Sequence, residues 1–168
     1  MFVSILEIML VGLVTGAACV YTPHKQKMLS MLFILLFVCV FYLGFLLSSN
    51  QLIHGEGMPW VFAVLRIIIA TGLTASAFIC FIPYHGFFHS QSKYIWMAAS
   101  SLFFFTGWHA GHWYSSLYFF IAFLIIYIIF FIGGNTIQSV FQFKMRQKSF
   151  VAFTPFLILL LFSIVLLL

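Results

Sequence analysis

The sequence predicts an all-α integral membrane bundle of six transmembrane helices with both termini on the outer side. Three observations carry that prediction. Hydrophobic residues make up 65% of the 168 and charged residues 5%, with no aspartate anywhere, whereas water-soluble domains carry roughly 25% charged residues. The apolar residues fall into six long runs of the kind a bilayer demands. The lysines and arginines between those runs all lie in alternate loops, which gives the bundle a direction. The length suffices for a single transmembrane domain, and the net charge of +5 reports orientation rather than nucleic-acid binding.

The first span, residues 2–21, carries Glu7 and no Lys or Arg before it, so it reads as a retained span and not as a cleaved signal segment. Ala17-Ala18-Cys19 matches a lipoprotein cleavage site only in part, because Gly16 stands where a large aliphatic residue is expected. Gly12 and Gly16 form a GxxxG face for close helix packing, and Glu7 points well away from it. Two sides of this helix therefore want protein contact, which places it in the interior. A basic loop, Thr22 to Lys27, leads to the second span, 28–47, which is apolar all round and reads as a plain wall helix.

The third span, 59–83, is the one around which the rest is expected to pack. It holds Arg66 inside apolar sequence, where a lone arginine costs several kcal/mol and needs a partner. Ala63, Arg66, Ala70, Thr74 and Ala77 form a small and polar stripe on which neighbours can approach closely. An aromatic loop with His85 and His89 follows. The fourth span, 94–109, finishes in a group of Trp108, His109, His112 and Trp113, and the fifth is 114–133. The sixth, 150–168, contains Pro155, which is expected to kink it near its start. Cys19, Cys39 and Cys80 lie within spans, share no metal or redox spacing, and read as small buried apolar residues.

Lys25, Lys27, Lys93, Lys144, Arg146 and Lys148 fall in the first, third and fifth loops, and none falls in the second or fourth. By the positive-inside rule both termini lie outside a plasma (inner) membrane. Lipid is then the first partner, other membrane subunits are a further class, and nucleic acid is excluded.

This orientation gathers the chemistry on the outer side. Glu7 and Arg66 each lie roughly 8 to 10 Å below the outer surface at about 1.5 Å per residue. Two intramembrane charges of opposite sign at one depth are cheaper together than apart. They read either as a structural ion pair locking the first and third helices, or as the floor of a chamber receiving a small ligand, lipid headgroup or ion. Trp60, Trp108 and Trp113 stand at the interface beside it and complete the candidate ligand-binding set. Above them, His54, Glu56, His109 and His112 supply the imidazole and carboxylate ligands that zinc or copper uses. The plainer reading is that these groups bond to headgroups and water. The His85/His89 spacing needs a helix to face both rings one way, and Gly86 argues against one. No nucleotide-binding or hydrolase motif is present.

The favoured function is binding or transfer of a small ligand or metal ion in an outer-facing polar chamber, alone or within a membrane complex. Its rival is a membrane-embedded enzyme acting on a lipid or lipid-linked substrate at the outer leaflet. A structural subunit without a site of its own is the third reading, and whether the chain is an enzyme stays open at this level.

Overall fold

The computed structural model describes residues 2–22, 26–49, 59–82, 86–88, 92–114, 116–144 and 150–165, with the backbone alone for Phe2 and 59–63. Among these residues the architecture is all-α. The elements are α1 (Phe2–Cys19), α2 (Gln26–Ser49), α3 (Pro59–Cys80), α4 (Lys93–Trp113), α5 (Leu117–Lys144) and α6 (Phe150–Val165). By length and composition, α2 and α5 are apolar enough to cross a membrane, and shorter apolar helices run over Val3–Cys19, Val64–Cys80 and Phe150–Val165.

Glycine decides which helices pair most closely. A Cβ added at Gly12 or Gly16 would overlap the backbone of Tyr127 or Phe131 on α5, and one at Gly134 would overlap Leu13 on α1. The same reciprocity joins α2 to α4: Gly107 and Gly111 sit on the carbonyls of Phe41 and Phe45, and Gly44 sits on that of Phe104. In both pairs the contacts advance together along the two chains, so each pair is parallel. Small residues at these positions allow the two backbones to approach this closely. By contrast, α3 packs antiparallel on α6, with Phe78 stacked on Phe153 and Thr74 near the Phe156 carbonyl.

The second helix is therefore not a plain wall. Phe33, Phe37, Phe41 and Phe45 recur every four residues, which puts them on one face, and all are buried. Phe37 stacks on Tyr127 of α5 with ring centroids 3.6 Å apart, and Phe103 of α4 meets the same tyrosine edge-on. The Tyr127 hydroxyl lies 3.1 Å from Thr15 Oγ1. Thr15 gives its own proton to the Val11 carbonyl at 2.8 Å, so Tyr127 is the donor and both hydroxyls are satisfied.

Two helix ends differ most from expectation. The fourth helix continues to Trp113 instead of stopping at His109, because Gly107 and Gly111 are helix-packing residues and not terminators. The fifth continues to Lys144 instead of ending at Gly133, giving 28 residues, or about 42 Å. Two of its polar residues, Asn135 and Gln138, assigned to a loop by their composition, are satisfied by neighbouring segments. Asn135 Oδ1 accepts from Gln26 Nε2 at 3.0 Å, and the buried Gln138 amide donates to the Tyr21 hydroxyl and to the Val151 carbonyl at 2.9 Å. That carbonyl is free because its helical donor would be residue 155, and Pro155 has no N–H. The Pro155 defect in α6 and the glutamine in α5 are thus two halves of one arrangement.

Between α3 and α4, Ile82 and Gly86 exchange backbone hydrogen bonds. Gly86 takes φ +73° against the Tyr21 carbonyl, a conformation open to glycine at little cost. The described residues 86–88 are not helical, and His85 and His89 lie outside the described residues.

Three outcomes follow from this packing. Gly16→Val and Gly107→Val should each destabilise the fold by about 1 to 3 kcal/mol or more, because backbone must move to admit the side chain. Gly72→Ala and Gly133→Ala meet open space and should be neutral or stabilising by up to about 1 kcal/mol; thermal unfolding of the purified variants checks both. Gln138→Leu should cost about 1 to 3 kcal/mol by stranding the Val151 carbonyl. In a Pro155→Ala background, where residue 155 regains its N–H, the same substitution should cost clearly less.

Candidate functional site

The site grows from one residue. Glu7 lies on α1, whose faces are covered by α5, α6, α4 and α2, and its side chain is 6% exposed. An ionised carboxylate so placed requires strong donors. Two arrive from different helices. Arg66 of α3 brings Nε to 3.1 Å from Glu7 Oε1. His109 of α4 brings Nδ1 to 3.1 Å from Oε2. Each oxygen has one charge-assisted partner, and the carboxylate ties three helices together.

His109 Nδ1 also lies 3.4 Å from Arg66 Nη2 and 3.3 Å from Ser4 Oγ. These approaches cannot all be hydrogen bonds of one kind, since a ring nitrogen either donates or accepts. A carboxylate only accepts, so the proton sits on Nδ1 and points at Glu7, with Ser4 Oγ as a weaker second acceptor. The guanidinium approach is then a contact and not a bond. In the neutral ring this leaves Nε2 with a lone pair, and Nε2 has no hydrogen-bond partner among the described residues.

Glu7, Arg66 and His109 border a small cavity together with Ile69, Leu102 and Phe105. Its volume is about 10 Å³, room for roughly one water and far below the roughly 300 Å³ of a pocket that encloses a drug-sized molecule. Except for Glu7, all its walls belong to α3 and α4, so the space is a crevice between those helices with the α1 carboxylate at its back. Ile69 follows Arg66 by less than a turn, and Leu102 and Phe105 precede His109 on α4. These apolar side chains lie toward the end of the bundle that carries Lys27, Lys93 and Lys144, and they floor the crevice.

The expected pairing of Glu7 with Arg66 is present. The expected stripe on α3 is present where it is described, with Ala70, Thr74 and Ala77 buried. His109 is a third member of the pair, not a member of a separate histidine group above it. His112, three residues on, instead meets the ring of Trp113 edge-on, and Trp113 is largely exposed at the end of α4. Trp108 packs against Phe104, so neither tryptophan lines the crevice. His54, Glu56 and the side chain of Trp60 lie outside the described residues. Among the described residues no group of three or more His, Cys, Asp or Glu side chains is gathered for a metal ion, and the nitrogen of His109 that faces the cluster is engaged by Glu7.

Ser4 and the cavity floor were not singled out from sequence, and His109 was placed at the helix end. One signal could have corrected that. Gly107 and Gly111 repeat the GxxxG spacing of α1, and a helix carried through them sets His109 a full turn below its end, at the depth of Glu7 and Arg66.

Comparison of the chain with protein-family models, with curated proteins and with solved structures gives no match.

The three-way contact orders the expected effects of substitution. Glu7→Gln leaves a guanidinium that cannot lose its proton, and should destabilise the protein by about 3 to 5 kcal/mol. Arg66→Met should cost less, because Glu7 keeps the His109 N–H. The double variant should recover part of the loss, giving a coupling of at least about 1 kcal/mol in a double-mutant cycle. Denaturant or thermal unfolding of the four proteins measures it.

Proposed function

We propose that this chain is a multi-pass membrane protein, both termini outside, that holds the polar end of a small ligand at its Glu7–Arg66–His109 cluster. The observation that carries this reading is the placement of the cluster. A carboxylate, a guanidinium and an imidazole converge in an otherwise apolar bundle, on a crevice between α3 and α4.

The membrane half of the reading is supported by what faces outward. Only 22% of the most apolar window of α5 is buried within the bundle, and Ile125, Ile129 and Ile132 are among its exposed side chains. On α2, Leu35 and Leu43 are exposed, and on α3, Ile68 and Ile79 are exposed. Apolar patches of this extent require an apolar solvent or a partner. The alternation of helix direction sends the ends that bear Lys27, Lys93 and Lys144 to one side, in line with a cytoplasmic basic face. The cluster then belongs to the outer half.

The ligand half is supported by the site's chemistry. Intramembrane ionisable groups that face a cavity are expensive to keep and are functional in most membrane proteins. The apolar floor of Ile69, Leu102 and Phe105 favours holding a ligand over passing it inward. An opening between two helices admits a molecule from the surrounding lipid as readily as from water.

Two measurements test the proposal. A reporter fused after Leu168 should be active outside the cytoplasm and one fused near Lys148 inside; the reverse pattern at both sites overturns the orientation. Mass analysis of small molecules extracted from purified protein should find an amphiphile retained by the wild type. Arg66→Met should lower its yield severalfold, and equal retention by both proteins would reduce the cluster to a structural clamp.

A further inference from the structure

We propose that the ligand's head group is electrically neutral: an uncharged amphiphile that presents a hydroxyl or ester oxygen, not a phosphate or carboxylate. The inference rests on the reading of the site given above and deepens it by naming the ligand class.

Charge balance is the first argument. Glu7 and Arg66 are within 3.1 Å of one another and cancel. The His109 ring, with its Nδ1 proton held by Oε2, adds no charge in its neutral form. An anion entering beside this cluster would bring an uncompensated negative charge next to an existing carboxylate. Uncompensated charge in such a setting costs several kcal/mol. A bare guanidinium would invite a phosphate, but this one already has its counter-ion.

The unengaged hydrogen-bonding groups are the second argument. A guanidinium has five N–H donors. Arg66 directs Nε to Glu7, and beyond the 3.4 Å approach of Nη2 to His109 Nδ1 its remaining N–H groups find no acceptor among the described residues. On the other side of the crevice, His109 is 23% exposed at its side chain, and its Nε2 lone pair is without a donor. A complementary group accepts from the guanidinium and donates to the imidazole. A hydroxyl does both, and an ester carbonyl beside it takes a second guanidinium N–H. Free carboxylate and phosphate diester groups have no proton to give, and a phosphate monoester that keeps one still brings the uncompensated charge.

Size is the third argument, independent of the other two. The cavity of about 10 Å³ matches one water and so matches one hydroxyl oxygen. A ligand hydroxyl that replaces that water can inherit its hydrogen bonds. A phosphate, with oxygens on all sides, would have to spread α3 from α4. The apolar walls Ile69, Leu102 and Phe105 suit the hydrocarbon that follows a hydroxyl.

The test is a competition on the full-length protein, read by native mass spectrometry and by ligand-dependent shifts in thermal unfolding. The probes are dioleoylglycerol, dioleoylphosphatidic acid and inorganic phosphate. Wild type should bind dioleoylglycerol at least about tenfold more tightly than phosphatidic acid and show no shift with free phosphate. Glu7→Gln frees the charge of Arg66 and should reverse the order, with phosphatidic acid now preferred; Arg66→Met should weaken dioleoylglycerol without creating a preference for the anion. The wild-type ranking needs no variant, so it stands even if a variant folds poorly. Preference for phosphatidic acid by wild type overturns the neutral-ligand inference and leaves the ligand site intact. Binding of neither lipid overturns both.

Discussion

A carboxylate on the most enclosed helix has to be neutralised where it stands, and much of this structure answers that requirement. Glu7 cannot reach the surface from α1, because α5, α6, α4 and α2 cover that helix. It therefore fixes the relative depth of α3 and α4, whose Arg66 and His109 must arrive at its two oxygens together. Sliding α3 by one turn, about 5.4 Å, would leave a charge unpaired, and sliding α4 would cost the carboxylate its second donor. Apolar packing alone has no such preference, since one phenylalanine layer substitutes readily for the next. The ion contacts thus select one register from many that hydrocarbon packing would allow, a role polar core groups hold in other systems.

The same rule acts with weaker groups at the opposite end. Pro155 removes a hydrogen bond from α6, and Gln138 reaches across from α5 to supply it. Tyr127 is buried by its stack on Phe37, and Thr15 accepts its proton. In each case a helix contributes a polar need and a different helix meets it. Within an apolar bundle these few bonds are directional while the large aromatic contacts are not. The glycine contacts set how close paired helices come, and the polar contacts set where along each other they stop.

The proposed function follows from the same economy. Satisfying Glu7 takes one N–H from Arg66 and one from His109, and it leaves further hydrogen-bonding groups of both residues facing a crevice. A clamp with no other role would be served as well by a residue with fewer donors than arginine. The remaining donors, the water-sized space and the apolar floor together suit the polar end of a molecule whose remainder is hydrocarbon.

The sequence by itself determined the class of element and the pairing of charges. Six apolar runs predict six helices because backbone groups in apolar surroundings must bond within their own segment. The equal depth of Glu7 and Arg66 predicts that they meet, since separate burial is the costlier state. Gly12 and Gly16 announced a close-packing face. The tertiary structure decided what covers that face and what else joins the pair. Nothing in Gly134 or Phe131 identifies α5 as the partner of α1, because complementarity between helices is a property of two surfaces and not of either string. The helical reach of Asn135 and Gln138 was hidden for a related reason: polar residues after two glycines have the composition of a loop until Gln26, Tyr21 and Val151 are brought to them. His109 was visible as a histidine near a helix end. Only the extension of α4 through Gly111, held by its contact with Phe45, made it the second donor to Glu7.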